Sequence, residues 1–302
     1  MKLDSTFVKD LLPWSYEYDG VTLRGWHTPV TGKPVIHFIH GNGFCGLVYE
    51  PMLARLQSEF DIFISDVQGH GDSDGGDTFW GWNGNARVCA AIWREKLSPW
   101  QGVAKIALGH SFGGVLSALL VSEFPELFDM AILLDPVLFS RSMIGAVTVS
   151  EWLGLGPINQ LSKQTLKRRS QWSSREQAFQ SLHNRGTYKG WSERALQAFV
   201  QYAISQDEEG GLASLKCKPE REAEIFATVP DRLWSMLAKI DTPTQILYGE
   251  DSFPFVAKSA GRLHRNQAWI AARKVSGGHC FMQQYPEQTV KTIKQLILRQ
   301  LQ

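Results

Sequence analysis

The sequence is short of everything that marks a specialised surface or scaffold. Lys plus Arg number 31 and Asp plus Glu 30, a net charge of +1 in 302 residues. No basic stripe interleaved with aromatics runs along the chain, so a nucleic-acid partner is not expected. Cysteine occurs four times, at Cys45, Cys89, Cys217 and Cys280, with no CxxC pair and no metal-ligand spacing. Free thiols in a reducing, cytoplasmic setting follow from that usage, and no metal is expected. No apolar run approaches the roughly 18 residues of a membrane span, and the first residues, MKLDSTFVKDLLPW, do not read as a signal peptide. Fixed-period repeats and low-complexity segments are also missing. No feature sets an oligomeric state.

What the sequence has is a rhythm. Short runs rich in Val, Ile and Leu end in Gly, His or Asp, and a helical pattern follows each. They are PVIHFIH (34–40), FDIFISD (60–66), KIALGH (105–110), MAILLD (130–135) and TQILYGE (244–250), with AARKVSGG (271–278) as a weaker sixth. Runs this continuous suit strands buried on both faces of a parallel sheet. YEYDGVTLRGWHT (16–28) alternates around Asp19-Gly20, a hairpin signal for an antiparallel edge. Helices are predicted at about 47–58, 81–97, 112–123 and 284–301. Alternating strand and helix gives an α/β class with a doubly wound sheet.

The rhythm stops between 138 and 238. No strand-like run occurs there, and helices are predicted at 148–154, 162–171, 174–183, 191–206 and 219–238. The division predicted is a core of 1–137 and 239–302, with a helical cap of 138–238 inserted before a late strand.

Chemistry enters at LGHSFGG (108–114). Gly-x-Ser-x-Gly between a strand and an amphipathic helix puts Ser111 on a sharp turn with its Oγ exposed and its backbone strained. Gly109 and Gly113 let strand and helix approach closely. The plain alternative is a serine capping an ordinary helix. A nucleophile also needs a base, an acid and oxyanion donors. His279, in the glycine-rich loop GGHCFMQQYPE (277–287), is the histidine best placed at the carboxyl end of the sheet. Two aspartates end strands: Asp135 in LLDP and Asp251 in YGEDSFPF. Asp251 is favoured because it precedes His279 by one crossover; Asp135 and then Glu250 are the alternatives. The oxyanion donors expected are the backbone N–H of Phe112 and one from IHGNGF (39–44), with Asn42 ahead of Gly43.

Taken in order, HGNG (40–43), DVQGHGDSD (66–74), GHSFGG (109–114), LYGEDS (247–252) and GGHCFMQQYPE (277–287) resemble the α/β-hydrolase superfamily. The order Ser111, Asp251, His279 is that superfamily's order. Gln68 stands where the second motif usually carries Arg, and Asp66, Gly69 and Gly71 resemble a structural loop. The resemblance implies an α/β-hydrolase fold with a cap and, with serine rather than aspartate at the elbow, acyl transfer to water without metal or organic cofactor. The expected partner is a small-molecule carboxylic ester of modest size. A thioester, a lactone or a diketone-like carbon–carbon bond is the alternative substrate. Of a different class is a receptor-like relative that binds a ligand with little turnover. Trp80, Trp82, Phe139, Trp152 and Trp234 are pocket candidates, although core packing explains any one of them. Lys163, Lys167, Arg168 and Arg169 form a basic cluster that reads as a solvated helix face.

Overall fold

The computed structural model describes residues 4–152, 160–206 and 211–301, apart from the side chains of 151 and 152. Eleven strands are present among them: β1 Leu12–Tyr18, β2 Val21–His27, β3 Val35–Ile39, β4 Asp61–Asp66, β5 Lys105–His110, β6 Met130–Leu134, β7 Gln171–Trp172, β8 Ile204–Ser205, β9 Ala213–Leu215, β10 Thr244–Gly249 and β11 Ile270–Val275. Eight of these make one sheet in the order β1-β2-β4-β3-β5-β6-β10-β11. β2 runs antiparallel to β1 and β4, and every pairing from β4 to β11 is parallel. The hairpin turn is Asp19-Gly20, both at positive φ, as a tight two-residue connection requires.

The strands read as continuous apolar runs because both faces of the sheet are covered. Alternate residues separate cleanly. Ile62, Ile64, Ile106, Leu108, Ile132 and Leu134 join one core cluster with Met52, Leu53, Ile293 and Ile297. Phe63, Ala107, Ala131 and Leu133 join a second with Ile92, Trp93, Val115, Leu119 and Leu263. The first cluster is covered by helices Glu50–Leu56 and Pro286–Leu301, the second by Gly81–Lys96, Phe112–Glu123 and Pro254–Asn266. Truncating one of the central residues, such as Ile106, to alanine costs about 2–5 kcal/mol.

The segment between β6 and β10 differs from its expected all-helical form. Helices Arg141–Trp152, Gln160–Thr165, Arg175–Leu182, Glu193–Tyr202, Pro219–Ala227 and Leu233–Leu237 are present, and so is a three-stranded antiparallel sheet in the order β7-β9-β8. The predicted helix 148–154 runs out of the described residues at 153. The helix expected over 219–238 is two helices, because Pro230 lies in the break between them and Arg232 takes φ +48°.

This segment is fastened to the sheet-bearing part by polar contacts. Arg194 pairs with the fully buried Glu50 through two nitrogens, at 2.5 and 3.0 Å. Lys216 pairs with Asp72 at 2.7 Å, Trp82 Nε1 donates to Thr228 Oγ1 at 3.1 Å, and Asn42 Nδ2 donates to the Glu222 carbonyl at 3.0 Å. The basic cluster does not act as one face. Arg168 pairs with Glu222 and donates to the Tyr188 hydroxyl, while Arg169 lies over the Trp172 ring.

Candidate active site

Ser111 sits between the last residue of β5 and the first of helix Phe112–Glu123, with φ +54° and ψ −113°. That conformation is strained for a residue with a Cβ, and it persists because the surroundings fix it. The Ser111 N–H donates to the Leu134 carbonyl at the end of β6. A Cβ at Gly109 would overlap the Gly113 carbonyl, and one at Gly113 would overlap the Ile39 and His40 carbonyls. Strand, turn and helix are therefore too close for any other residue at those positions. Ser111 is 8% exposed.

His279 Nε2 lies 2.9 Å from Ser111 Oγ. On the other side of the ring, Nδ1 lies 2.6 Å from Asp135 Oδ2. The carboxylate is an acceptor, so Nδ1 carries the proton and Nε2 is free to accept from the serine hydroxyl. Asp135 is fully buried. Its Oδ1 accepts the Gly249 N–H at 2.7 Å, and its Oδ2 also accepts the Ser252 hydroxyl.

The carboxylate in contact with His279 is thus Asp135, and the expectation that Asp251 would lie there is corrected. The reason lies in β10. A Cβ on its last residue, Gly249, would overlap the Gly278 carbonyl and reach 2.6 Å from that of Gly277. The histidine loop lies across the end of β10 and brings the ring to the end of β6, one strand further in. Asp251 uses its backbone N–H to hold the Gly277 carbonyl at 3.0 Å, and its side chain is exposed. Glu250, the third choice, is exposed as well.

The loop 40–44 lies against the helix start, where Gly113 N–H donates to the His40 carbonyl at 3.1 Å. Gly43 is already engaged, donating its N–H to His70 Nε2 at 3.0 Å. The backbone N–H groups of Asn42 and Phe112 meet no protein acceptor among the described residues. Beneath the loop, burial holds His40 near a pKa of about 4 and His70 well below its usual value. Both rings are therefore neutral. His70 Nδ1 donates to the Gln68 carbonyl and its Nε2 accepts from Gly43. Burial raises Asp66 to about 7, and Asp66 accepts the Gly46 N–H at 2.7 Å, a structural role as expected of that motif. Gln68 donates to the Gly75 and Thr78 carbonyls and accepts from Trp80 N–H. An arginine cannot accept, so it could not close all three bonds.

Aromatic rings run along one side. Phe253 is centred 5.0 Å from the His279 ring and stacks on Phe255 at 5.6 Å. Phe255 stacks on Phe139, Phe139 meets Trp82 edge-on at 5.6 Å, and Trp82 meets Phe112 at 4.7 Å. Trp82 and Phe139 thus fall beside the site. Trp234 donates to the Phe139 carbonyl, whereas Trp80 packs on Tyr18 of the edge hairpin. The side chain of Trp152 lies outside the described residues. Sequence reasoning missed Gly249, Ser252, Tyr49 and His110, although the last lies inside the LGHSFGG stretch.

A family model for the alpha/beta hydrolase family matches residues 38–292. The chain belongs to the alpha/beta hydrolase family. It is 30% identical over 230 residues to a type I acyl-CoA thioesterase, mpaH, of Penicillium roqueforti, covering 65% of this chain and 50% of that protein. It spans half the length of that thioesterase and about a third of the Alternaria alternata abhydrolase domain-containing proteins it also matches. Among solved structures, E-2-(acetamidomethylene)succinate hydrolase superposes with a TM-score of 0.72 at 21% identity, covering 95% of this chain and 99% of that one. The thioesterase domain from the curacin biosynthetic pathway gives 0.73 at 18%, covering 94% and 99%. At these identities the structures show a shared fold. No helix among the described residues is long and apolar enough to cross a membrane.

Proposed function

We propose that this protein is a serine hydrolase that cleaves a carboxylic ester through an acyl-enzyme, with Ser111, His279 and Asp135 as its triad. The observation that carries this is the unbroken hydrogen-bonded chain from Ser111 Oγ through the His279 ring to the buried Asp135, at 2.9 and 2.6 Å. Ser111 attacks the carbonyl carbon as His279 Nε2 takes its proton. The imidazolium is stabilised by Asp135 and returns the proton to the leaving oxygen. Water then repeats the sequence on the acyl-enzyme. The backbone N–H groups of Phe112 and Asn42 receive the oxyanion, a term typically worth about 100–1,000-fold in turnover per donor.

Residues 138–238 act as the cap in this reading, over a core of 1–137 and 239–302. The ring series from Phe253 to Phe112 supports a substrate whose group beside the carbonyl is apolar or aromatic. A thioester is the second reading, favoured by the likeness to mpaH; the same attack and oxyanion serve it.

A fluorophosphonate probe should label the wild type and leave Ser111→Ala unlabelled. Labelling that survives the substitution would remove Ser111 from the nucleophile's role. Initial rates on p-nitrophenyl esters of increasing acyl length, beside the matching acyl-CoA thioesters with thiol detection, divide the two readings. Binding of such compounds without turnover of either would return the receptor-like alternative.

A further inference from the structure

His110, the residue before the nucleophile, is fully enclosed, and both of its ring nitrogens are occupied. Nε2 lies 3.0 Å from the His279 carbonyl oxygen, and Nδ1 lies 2.6 Å from the Tyr49 hydroxyl. That hydroxyl in turn accepts the Gly41 N–H at 3.0 Å. One arrangement of protons satisfies all three contacts. A carbonyl only accepts, so Nε2 carries the proton. Burial holds the pKa of this imidazole well below its ordinary value, so Nδ1 is bare and accepts the Tyr49 O–H. The phenolic oxygen keeps a lone pair for Gly41. The direction is Gly41 N–H to Tyr49, Tyr49 O–H to His110, and His110 N–H to the main chain of His279.

These contacts join three segments that the reaction must keep in register. Gly41 opens the loop whose next residue is Asn42. His110 is bonded covalently to Ser111. The carbonyl it holds belongs to the residue whose ring lies against Ser111 Oγ, and the two imidazole rings are centred 4.9 Å apart. The space is filled to contact: a Cβ on Gly41 would come 2.8 Å from His110 Nδ1. A neutral ring here also places no second positive charge beside His279 when that residue accepts the serine proton.

We propose that Tyr49 and His110 are positioning residues, a two-side-chain relay that sets the His279 backbone relative to the elbow and the oxyanion loop. The proposal rests on the serine hydrolase reading above. Neither side chain touches the reacting atoms. Their effect is on the angle at which His279 Nε2 meets Ser111, where a misplacement of about 1 Å can cost on the order of 100-fold.

The test is the saturating rate of Ser111 labelling by a fluorophosphonate, and its half-saturating concentration, in Tyr49→Phe, His110→Leu and His110→Gln. His110→Leu should slow the saturating rate about 100-fold. Tyr49→Phe, which removes a single oxygen, should slow it about tenfold, the scale of one hydrogen bond. The half-saturating concentration should stay within about twofold in both, since binding of the probe is not what the relay sets. His110→Gln, whose amide can still donate to the His279 carbonyl, should recover at least tenfold over His110→Leu. A packing role makes the opposite demand, with leucine at least as good a substitute as glutamine. A wild-type saturating rate in Tyr49→Phe, or a glutamine variant no better than a folded leucine variant, overturns the proposal. Should His110→Leu not fold, Tyr49→Phe decides alone. If wild-type Ser111 itself takes no label, the hydrolase reading fails and the relay falls with it. Undiminished labelling in the variants overturns the relay alone.

Discussion

Two loops end neighbouring strands of the sheet with an aspartate, and they do opposite things. The loop after β6 turns Asp135 inward at φ +43°, fully buried, with three donors on its carboxylate. The loop after β10 leaves the Asp251 side chain exposed and spends its polar groups on others: Gly249 N–H and Ser252 O–H on Asp135, Asp251 N–H on the Gly277 carbonyl. One loop carries the carboxylate that meets His279, and the other is the mount that holds it. The sequence separation of either aspartate from His279 does not distinguish them. What does is a missing side chain at Gly249, over which the histidine loop passes on its way to β6.

Exchange of the two carboxylates for amides is the strongest way to break this comparison. In Asp135→Asn the amide oxygen is held by Gly249 N–H, so the NH2 group faces His279 Nδ1 and favours the wrong tautomer; kcat should fall by about 10,000-fold. Asp251→Asn alters an exposed group and should change kcat by no more than about twofold. Steady-state rates on one chromogenic ester decide it, and a large loss in the second variant with little in the first would reverse the assignment. Gly249→Ala comes next. Its methyl group would collide with the Gly277 and Gly278 carbonyls and push His279 outward. A loss of about 100-fold in kcat is expected, with the fold retained by circular dichroism. Activity close to wild type would mean that the histidine loop does not need to lie across β10.

Much of this was legible beforehand, and the boundary between legible and hidden is physical. Buried parallel strands leave continuous apolar runs, so all six core runs from 34 to 278 became strands. The elbow declares itself through Gly109 and Gly113, because backbone that close admits nothing larger. The contact between His279 and Ser111 follows from those glycine-rich loops. The carboxylate that meets His279 does not, since two aspartates end adjacent strands and the deciding contact is between Gly249 and the main chain of another loop. The small sheet β7-β9-β8 was hidden because strands of two or three residues are too short to show alternation. His110 was in plain view but silent: a buried imidazole and a catalytic one read alike until their partners are known.

The finest distinction is between holding Asp135 in place and merely filling space beside it, and Ser252→Ala probes it. The Ser252 hydroxyl shares Oδ2 of Asp135 with His279 Nδ1. Its removal leaves the carboxylate with Gly249 N–H on Oδ1 and the histidine on Oδ2, so the acid stays paired and the protein should fold normally. What is lost is the restraint on carboxylate rotation. A single hydrogen bond to a charged acceptor is worth about 1.5–3 kcal/mol, and part of it is recovered when water replaces the hydroxyl. A fall in kcat of roughly three- to tenfold is therefore expected, with KM little changed. Serine to threonine keeps the hydroxyl and should restore most of the rate. If alanine and threonine fall equally, the contribution of Ser252 is its volume, and the loop after β10 holds the acid through Gly249 alone.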